Sequence, residues 1–424
     1  MKSEVPLHRS IGEIELLWRE FDEDFDSFLP HQMAVLEDWD DLGRKGAHLV
    51  FYPTGTGKTK ITLTEVAMAG YGTCVVLAPP ITHNKWVSEG KAIGIKVIPM
   101  SHAKFRQNDV RMQRKTPMIV DEFHLLGGHT GKGWTKLDRL AKGLEAPLIL
   151  ASATPNYNDA ERCYCLVHVL SPLDHRGGYI GWLYQHCITR NNPFGSEPVV
   201  EGFRDFVSAE GFLSAQPRVS YLPDDAPDII QDLPVHYDPL PDEFNSLNLD
   251  STRERVMASQ MEIRQRESLR KILNEQGELA DGPLDMLSYL IGQMPEGTKW
   301  LIFAQRKTVA QAIARAHDVA EIPYAYIDGD TSLKEKNQEL QKFLDTNSGV
   351  DILIGTASLA TGTDGIDKVC KLMVIVDDTD DDSLRRQLVG RILPRGVVKP
   401  EDYEGRVAYR FTYDHREGQA LPAG

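Results

Sequence analysis

Cysteines, long apolar runs and a signal peptide are scarce or absent in this 424-residue sequence, and each absence narrows the class of protein. The five cysteines are odd in number and lie mostly in apolar segments, which favours reduced thiols over a disulfide framework. No apolar run approaches the roughly 18 residues of a membrane span, and the N-terminal residues do not begin a signal peptide. We therefore expect a soluble protein of the cytoplasm, or of the nucleus if its source is eukaryotic.

Basic residues are outnumbered as well. Lys and Arg total 47 against 62 Asp and Glu, which gives a formal net charge of −15. A chain of this charge has no global field that attracts a polyanion, so any nucleic acid must be bound by a local track of cations and backbone amides. The acidic run at 377–382 is expected to be a solvated loop, in preference to a metal site.

Two sets of short β-rich runs, separated by stretches of helix length, indicate the fold. The first set lies at 48–52, 73–78, 97–100, 118–120 and 148–151. The second set lies at 300–304, 325–327, 351–354, 372–376 and 407–411. This alternation predicts an α/β protein with two doubly wound parallel-sheet lobes, each with helices on both faces of its sheet.

The same runs give the predicted domain boundaries. We expect an N-terminal helical segment at 1–46, a first lobe at 47–172, an insertion and helical bridge at 173–295, and a second lobe at 296–424. In this prediction the region from about 156 to 295 contributes to neither sheet. Its helical part at 251–276 is rich in arginine, and a solvated bridge is favoured there over a phosphate-binding surface.

The segment from Tyr52 to Thr59 predicts a phosphate-binding loop between a strand and a helix. Gly55 and Gly57 let the backbone bend so that its N–H groups and the helix N-terminus face an anion. Lys58 can then reach the terminal phosphates of a nucleotide, and the Thr59 hydroxyl can hold Mg²⁺. The general pattern has Gly where this chain has Tyr52, so for this segment alone a structural Gly-rich turn is the alternative.

Two acids follow a predicted strand further along the chain. Asp121 is predicted to hold Mg²⁺, and Glu122 to orient or deprotonate an attacking water, because the carboxyl ends of parallel strands are where such folds bind ligands. Two solvated acids are the alternative. That alternative loses weight because a third polar segment, Ser152 to Thr154, follows the next predicted strand.

Together these segments form an ordered series that resembles the superfamily 2 helicases and translocases of the DExH kind. The series comprises Gln32, then Thr54, Gly55, Thr56, Gly57, Lys58 and Thr59, then Asp121-Glu122-Phe123-His124, Ser152-Ala153-Thr154, and Gln387-Leu388-Val389-Gly390-Arg391. It spans nearly the whole chain. The resemblance implies two RecA-like lobes, ATP and Mg²⁺ as cofactors, and nucleic acid as a partner.

The resemblance also implies roles for residues that the spacing alone does not explain. Gln32 would read adenine, and Gln387 and Arg391 of the second lobe would act on the nucleotide, Arg391 as an arginine finger. The family usually has another arginine three residues later, where this chain has Pro394. We expect Arg395 to take that role through a shifted backbone, the alternative being that one finger is missing.

Further residues match family motifs for the nucleotide and for nucleic acid. Gly362 and Asp364 are implied to lie near the nucleotide. The residues implied to bind nucleic acid, or to couple its binding to the nucleotide, are Pro79, His124, Ser152, Thr154 and Thr356.

Two branches of the family share features with the chain. The run 75–79 with Trp86 and Glu89 resembles the Swi/Snf group, whereas 360–367 and 390–393 resemble repair and phage recombination helicases. We therefore expect a monomeric ATP-dependent motor that moves along DNA, gripping the backbone without strong base preference. The alternatives are a nucleotide-dependent DNA-binding clamp, a motor subunit of a restriction or repair complex, and an RNA helicase.

Overall fold

The computed structural model describes residues 9–107, 113–153, 160–171, 178–192, 197–223, 226–236, 281–295, 297–360, 363–379, 382–394 and 398–414. Its contacts divide the chain near residue 227 into two compact units. Each unit is an α/β lobe with its own sheet and cores. In these described parts of the chain, no helix combines the length and the apolar character needed to cross a bilayer.

The first lobe is built on a six-stranded sheet. Its helices are α1 (Ile11–Phe21), α2 (Pro30–Asp41), α3 (Lys58–Met68), α4 (His83–Ala92), α5 (His102–Gln107), α6 (Lys132–Gly143), α7 (Ala160–Leu170), α8 (Gly178–His186) and α9 (Ala209–Ser214). Its strands are β1 (Ala47–Phe51), β2 (Thr73–Leu77), β3 (Lys96–Met100), β4 (Met118–Asp121), β5 (Leu148–Ser152), β6 (Cys187–Arg190), β7 (Val199–Phe203) and β8 (Val219–Tyr221). The sheet is parallel with the order β3-β2-β4-β5-β1-β8, and β6 and β7 form a separate antiparallel pair.

Both faces of this sheet are buried. Along β1, Leu49 and Phe51 join the apolar cluster beneath α5 to α9, whereas Val50 and the following Tyr52 join the cluster beneath α1 to α4. Successive side chains of a strand point to opposite faces, so a strand covered on both sides needs a continuous apolar run. That requirement explains why the sequence pattern located these strands.

The order of strands brings three motif segments to one edge of the sheet. Strand β5 lies between β4 and β1, with Phe51 in register with Ser152 and Asp121 in register with Ala151. Because the strands are parallel, the loops that follow β1, β4 and β5 leave the sheet side by side. This is the edge at which open α/β sheets bind ligands.

The second lobe repeats the arrangement. Its helices are α10 (Asp281–Gly292), α11 (Lys307–Val319), α12 (Leu333–Leu344), α13 (Ile366–Val369) and α14 (Asp382–Val389). Its strands are β9 (Ile230–His236), β10 (Trp300–Ala304), β11 (Tyr324–Ile327), β12 (Ile352–Gly355), β13 (Leu372–Asp377) and β14 (Val407–Asp414). They form one parallel sheet in the order β11-β12-β10-β13-β14-β9.

The predicted pair of doubly wound parallel-sheet lobes is confirmed. The expectation that residues 156–295 add to neither sheet is wrong, because β8 pairs with β1 in the first lobe and β9 pairs with β14 in the second. Both are edge strands, and β9 contains Pro234, a residue that edge strands tolerate. The predicted helical stretch at 251–276 lies outside the described residues, and the four domain boundaries stay predictions.

The acidic run after β13 also differs from its expectation. Asp377 is buried and accepts hydrogen bonds from the Arg306 side chain at 2.9 and 2.6 Å and from the Arg306 N–H at 2.8 Å. Asp378 accepts from the Arg385 guanidinium at 3.0 Å. These two acids are therefore structural partners of arginines, and the solvated-loop prediction is wrong for Asp377.

Candidate active site

The phosphate-binding loop predicted from Tyr52 to Thr59 joins β1 to α3. Gly55 and Gly57 both have φ of 83°, in the left-handed region that glycine adopts without steric cost. Gly57 is the N-cap of α3 and has no side chain that could cap the first N–H groups of the helix. These features fit an anion at the start of α3.

The Lys58 side chain contacts the backbone of the loop that precedes it. Its Nζ donates to the carbonyl oxygens of Tyr52 at 2.9 Å and Pro53 at 2.7 Å. The loop is further closed by the Thr56 hydroxyl, which donates to Pro53 O at 2.8 Å. The ammonium group is therefore positioned on the loop, where a bound polyphosphate would face it. Thr59, in the first turn of α3, and Thr54 are both partly exposed.

Gln32 lies against this loop. Its Nε2 donates to Thr56 O at 2.9 Å, and its Oε1 accepts from Leu29 N–H at 3.0 Å at the start of α2. A Cβ on Gly57 would lie only 2.6 Å from Gln32 Nε2, so a larger residue there would move the Gln32 amide, and the φ of 83° itself favours glycine. The structure thus places Gln32 beside the loop, and its reading of adenine stays a prediction.

The Tyr52 side chain explains the departure from the usual glycine at that position. Its ring belongs to the buried cluster between the sheet and α1 to α4, and its hydroxyl donates to His31 O at 2.7 Å. Burial raises the pKa of Tyr52 to about 12, with Asp38 and Glu65 adding to the shift. The phenol therefore ties the end of β1 to α2 and does not occupy the loop.

A buried polar chain holds the elements that surround the loop. Ser220 Oγ donates to Asp38 Oδ2 at 2.5 Å, so His48 Nε2, at 2.9 Å, must donate to Ser220 Oγ. His48 Nδ1 lies 2.6 Å from Glu65 Oε1. Burial raises the pKa of Glu65, which the neighbouring His48 opposes. The chain connects β8, α2, β1 and α3.

Asp121 and Glu122 lie at the carboxyl end of β4, beside the loop. Burial raises the pKa of Asp121 to about 7, and the adjacent Glu122 raises it as well, whereas the charge on Lys58 lowers it. Burial makes ionisation of this carboxyl group costly, and a cation bound to the ionised form offsets that cost. Asp121 therefore fits the predicted Mg²⁺ ligand, and carboxylate oxygen is a donor that Mg²⁺ prefers.

Glu122, Ser152 and His124 form a compact polar group. Ser152 Oγ donates to Glu122 Oε2 at 3.1 Å, and His124 Nδ1 lies 3.3 Å from both of these oxygens. Ser152 ends β5 and His124 lies in the 3₁₀ segment Phe123–Leu126, so the group joins the edges of two neighbouring strands. The sequence predicted coupling roles for Ser152 and His124, and the structure brings both to the carboxylate of Glu122.

Two residues beside this group were not predicted. His102, at the start of α5, is buried and its Nε2 donates to Asp121 O at 2.8 Å. Burial lowers the pKa of His102 to about 4, against the opposing effect of this hydrogen bond. Arg162 of α7 donates to His124 O at 2.5 Å. The only signal for His102 in the sequence is its place directly after a predicted strand.

Pro79 follows β2, the strand next to β4, and precedes the 3₁₀ segment Pro80–Thr82. It therefore belongs to the same edge of the sheet as Asp121. Its carbonyl accepts from the Thr82 N–H at 3.0 Å and from the Thr82 hydroxyl at 2.9 Å, which closes a tight turn.

In the second lobe, Thr356 lies at the carboxyl end of β12. It is buried, its N–H donates to Ile327 O at 3.2 Å, and its hydroxyl lies 3.5 Å from Ser358 Oγ. Lys336 of α12 donates to Ser358 O. Burial lowers the pKa of Lys336 to about 8, and the charge on Arg391 contributes. The loop that begins with Thr356 is thus held by a buried cation.

Arg391 and Asp364 meet in this lobe. Arg391 Nη1 lies 3.4 Å from Asp364 Oδ1, and Nη2 donates to Ala360 O. Arg391 and the nearby Gln387 are buried, whereas the Asp364 side chain is 46% exposed. The structure therefore brings together Asp364 and Arg391, which the sequence assigned to two separate motifs. Three predicted site residues, Thr154, Gly362 and Arg395, lie outside the described residues.

Comparisons with known proteins agree with this architecture. Residues 282–395 match the family model described as the helicase conserved C-terminal domain. The Saccharomyces cerevisiae protein Dbp5 bound to RNA and ADP BeF3 has a similar structure, with a TM-score of 0.57 and 15% identity over 96% of this chain and 90% of Dbp5. A Sulfolobus solfataricus SWI2/SNF2 ATPase core in complex with dsDNA matches with a TM-score of 0.39 and 14% identity, over 92% of this chain and 88% of that one. No curated protein sequence matches the chain.

These findings define the class of the fold. The two parallel-sheet lobes are a tandem RecA-like core of the kind found in helicases. The match to the helicase C-terminal domain covers most of the second lobe, including Thr356, Asp364 and Arg391. The family match concerns the second lobe, and the structural likeness to Dbp5 shows the fold of both lobes.

Proposed function

We propose that the chain is an ATP-dependent nucleic-acid motor that couples ATP hydrolysis to movement along DNA and remodels branched or protein-bound DNA. The observation that carries the proposal is the meeting of Lys58, Asp121 and Glu122 at one edge of the first sheet. The helicase-type second lobe supplies the other half of such a motor.

The residues present fit a magnesium nucleotide. The left-handed glycines and the uncapped start of α3 suit phosphate oxygens, and the raised pKa of Asp121 suits a cation. Asp121 and the Thr59 hydroxyl would hold Mg²⁺, and Lys58 would bind the terminal phosphates. Bound Mg²⁺ would neutralise charge that develops on the phosphoryl oxygens.

The protein's own task in this reaction is positioning and proton transfer. Glu122 would accept the proton of the attacking water and orient that water, because its carboxylate is held by Ser152 and His124. This polar group spans the ends of β4 and β5, so a shift of either strand end moves the carboxylate. That arrangement supports coupling of nucleic-acid binding to hydrolysis through Ser152, His124 and, in the same motif, Thr154.

The second lobe would supply positive charge and contacts with the nucleic-acid backbone. Arg391 is proposed as the arginine finger, with Gln387 and Arg395 in the same motif, and Asp364 and Gly362 near the nucleotide. The hydrogen bonds of Arg391 with Asp364 and Ala360 orient its guanidinium group within the second lobe. Thr356, together with the loop after Pro79 in the first lobe, would contact backbone phosphates, which gives little base preference.

DNA is proposed as the track because the motif around 75–79 resembles that of Swi/Snf translocases. The direct test is steady-state ATPase activity with single-stranded, duplex and branched DNA and with RNA, all at one salt concentration. We expect stimulation by duplex and branched DNA, with apparent affinity falling steeply as salt rises. Stimulation by RNA alone would refute the DNA assignment, and nucleotide binding without turnover would favour the clamp alternative.

Movement needs a second assay, because stimulated hydrolysis does not show it. Triplex displacement and fork regression report translocation on duplex DNA, and a strand-separation assay reports unwinding. We expect ATP-dependent activity in the first two assays and little unwinding of long blunt duplexes. Glu122→Gln is the matched control, since it should bind ATP without hydrolysing it. Efficient unwinding without branch activity would contradict the translocase proposal.

A further inference from the structure

Glu122 has a backbone conformation that residues other than glycine rarely adopt. Its φ is 49° and its ψ is 50°, in the left-handed region. Such a conformation is sterically disfavoured for an L-residue and persists only where the surrounding structure holds it. The question is therefore which contacts hold the two peptide planes on either side of the Glu122 Cα.

The plane between residues 121 and 122 is fixed at both ends. Its N–H, from Glu122, donates to Ala151 O of β5 at 2.9 Å. Its C=O, from Asp121, accepts from Nε2 of the buried His102 at 2.8 Å. A carbonyl oxygen only accepts, so the imidazole must donate. The next plane is fixed by the Leu125 N–H, which donates to Glu122 O at 2.9 Å.

We propose that His102 is a positioning residue for Glu122, holding the backbone conformation that directs the Glu122 carboxylate to the attacking water. It acts through the Asp121 carbonyl and touches no reacting atom. The inference rests on the proposed function, because it assigns the water-orienting role to Glu122. Loss of the His102 hydrogen bond would free one end of the peptide plane and let Glu122 relax toward ordinary φ values.

Relaxation at Glu122 would break the contacts of its side chain. The hydrogen bond from Ser152 Oγ at 3.1 Å and the 3.3 Å contact with His124 Nδ1 both require the present direction of the Cα–Cβ bond. Nucleotide binding depends on the loop after β1, to which His102 makes no hydrogen bond in the described residues, and on the Asp121 carboxylate proposed for Mg²⁺. His102 donates to the backbone carbonyl of Asp121 and not to that carboxylate. The expected defect is therefore in the rate of hydrolysis, with ATP binding preserved.

The same helix provides a matched control. Arg106 also donates to a backbone oxygen of this turn, Leu125 O at 3.0 Å, but it is exposed and its acceptor lies beyond the two peptide planes of Glu122. If fastening the turn in general were enough, His102 and Arg106 would matter alike. If the peptide plane at 121–122 is what matters, only His102 will affect the rate.

The experiment compares His102→Phe, His102→Gln and Arg106→Ala in the full chain, with ATPase kinetics in the presence of stimulating nucleic acid. Phe keeps a ring without the donor, whereas the Gln amide restores a donor. We expect His102→Phe to lower kcat about 10- to 100-fold with KM for ATP within about twofold, the scale of effect of a misplaced catalytic group. His102→Gln should recover most of kcat, and Arg106→Ala should stay within about twofold of the parent.

A double variant shows whether His102 acts through Glu122. In Glu122→Gln, whose residual rate is followed in single turnovers, adding His102→Phe should cause no further loss, because residues that act as one unit are not additive. A parent-like kcat in His102→Phe would overturn the proposal, and so would losses that multiply in the double variant. If His102→Phe does not fold, His102→Asn, too short to reach the carbonyl, replaces it with the same expected outcome.

Failure of the underlying function gives a different result. If the parent shows no stimulated ATPase activity, or if Glu122→Gln hydrolyses ATP as fast as the parent, the role given to Glu122 is wrong whatever the His102 variants do. With parental activity present and Glu122→Gln strongly impaired, the outcomes for the His102 variants and the double variant decide the positioning role.

Discussion

The buried imidazole of His102 predicts a specific dependence of stability on pH. Burial lowers the pKa of His102 from 6.5 to about 4. A group whose pKa is lower in the folded state stabilises the fold above its unfolded pKa, and this stabilisation is lost as pH falls toward the folded pKa. His102 therefore stabilises the first lobe fully near pH 7 and progressively less below about pH 6.5.

The size of the effect follows from these two values. Between the unfolded and folded pKa values, each pH unit changes the contribution of His102 to the free energy of unfolding by about 1.4 kcal/mol. Lowering pH from 7 to 5 should thus remove about 2 kcal/mol of the stability that His102 contributes. Asp121 acts in the opposite direction over the same range, because its pKa is raised to about 7 and its contribution is lost as pH rises. The absolute stability curve therefore mixes both effects.

Comparison with His102→Gln separates them, since Gln keeps a donor for Asp121 O but does not titrate. Urea unfolding would be measured at pH 7 and pH 5 without nucleotide or divalent cations. Tryptophan fluorescence reports mainly on the first lobe, which contains five of the six tryptophans. Those five are Trp18, Trp39, Trp86, Trp134 and Trp182.

We expect the free energy of unfolding of the parent, relative to His102→Gln, to fall by about 2 kcal/mol between pH 7 and pH 5. A change of less than about 0.5 kcal/mol in this relative free energy of unfolding would refute the reasoning. Protonating a buried neutral imidazole places a charge away from water, which costs free energy. A titration of the His102 ring by NMR gives the same answer independently, with the ring remaining neutral at pH 5.5.

Further variants test the nucleotide site. Lys58→Ala should weaken ATP binding, whereas Glu122→Gln should keep binding and lose hydrolysis; equal loss of binding in equilibrium titrations would remove Glu122 from its role. Gly57→Ala should weaken ATP binding about 5- to 150-fold, because about 1–3 kcal/mol of strain enters at φ 83° and its Cβ would displace Gln32; an unchanged Kd would contradict this. Arg391→Ala should lower kcat about 10³- to 10⁵-fold, roughly 4 to 7 kcal/mol of barrier, and parent-like turnover would exclude it as the finger.

The sequence located most of the inner strands of both sheets because those strands are buried on both faces. Such strands need continuous apolar side chains, as β1 and β5 show, and the pattern is visible without tertiary information. The edge strands β8 and β9 have no such need. Strand β8 is only three residues long, and β9 includes polar residues and a proline, so their pairing depends on contacts distant in sequence.

The candidate site also contains residues that the sequence predicted and residues that it did not. Lys58, Asp121 and Ser152 were predictable because each lies in a local motif at the carboxyl end of a strand or in the loop after it. Parallel strands bring their carboxyl ends together. His102 and Arg162 were not, because each acts by donating to a backbone carbonyl of the turn that follows β4. Every residue has a backbone carbonyl, so the residue that accepts the hydrogen bond does not reveal its donor. The position of His102 after a predicted strand is the one signal that the sequence gives.

The contacts of Tyr52 bear on the alternative that the chain is a nucleotide-dependent binding clamp. The tyrosine at position 52, where the general pattern has glycine, is one argument for a binding clamp that does not turn over. Its ring instead lies in the apolar cluster on one face of the sheet, and its hydroxyl donates to His31 O. The loop keeps its two left-handed glycines, at 55 and 57, and the lysine on its own carbonyls. The tyrosine side chain therefore does not fill the loop, and ATPase turnover with and without DNA decides between a motor and a clamp.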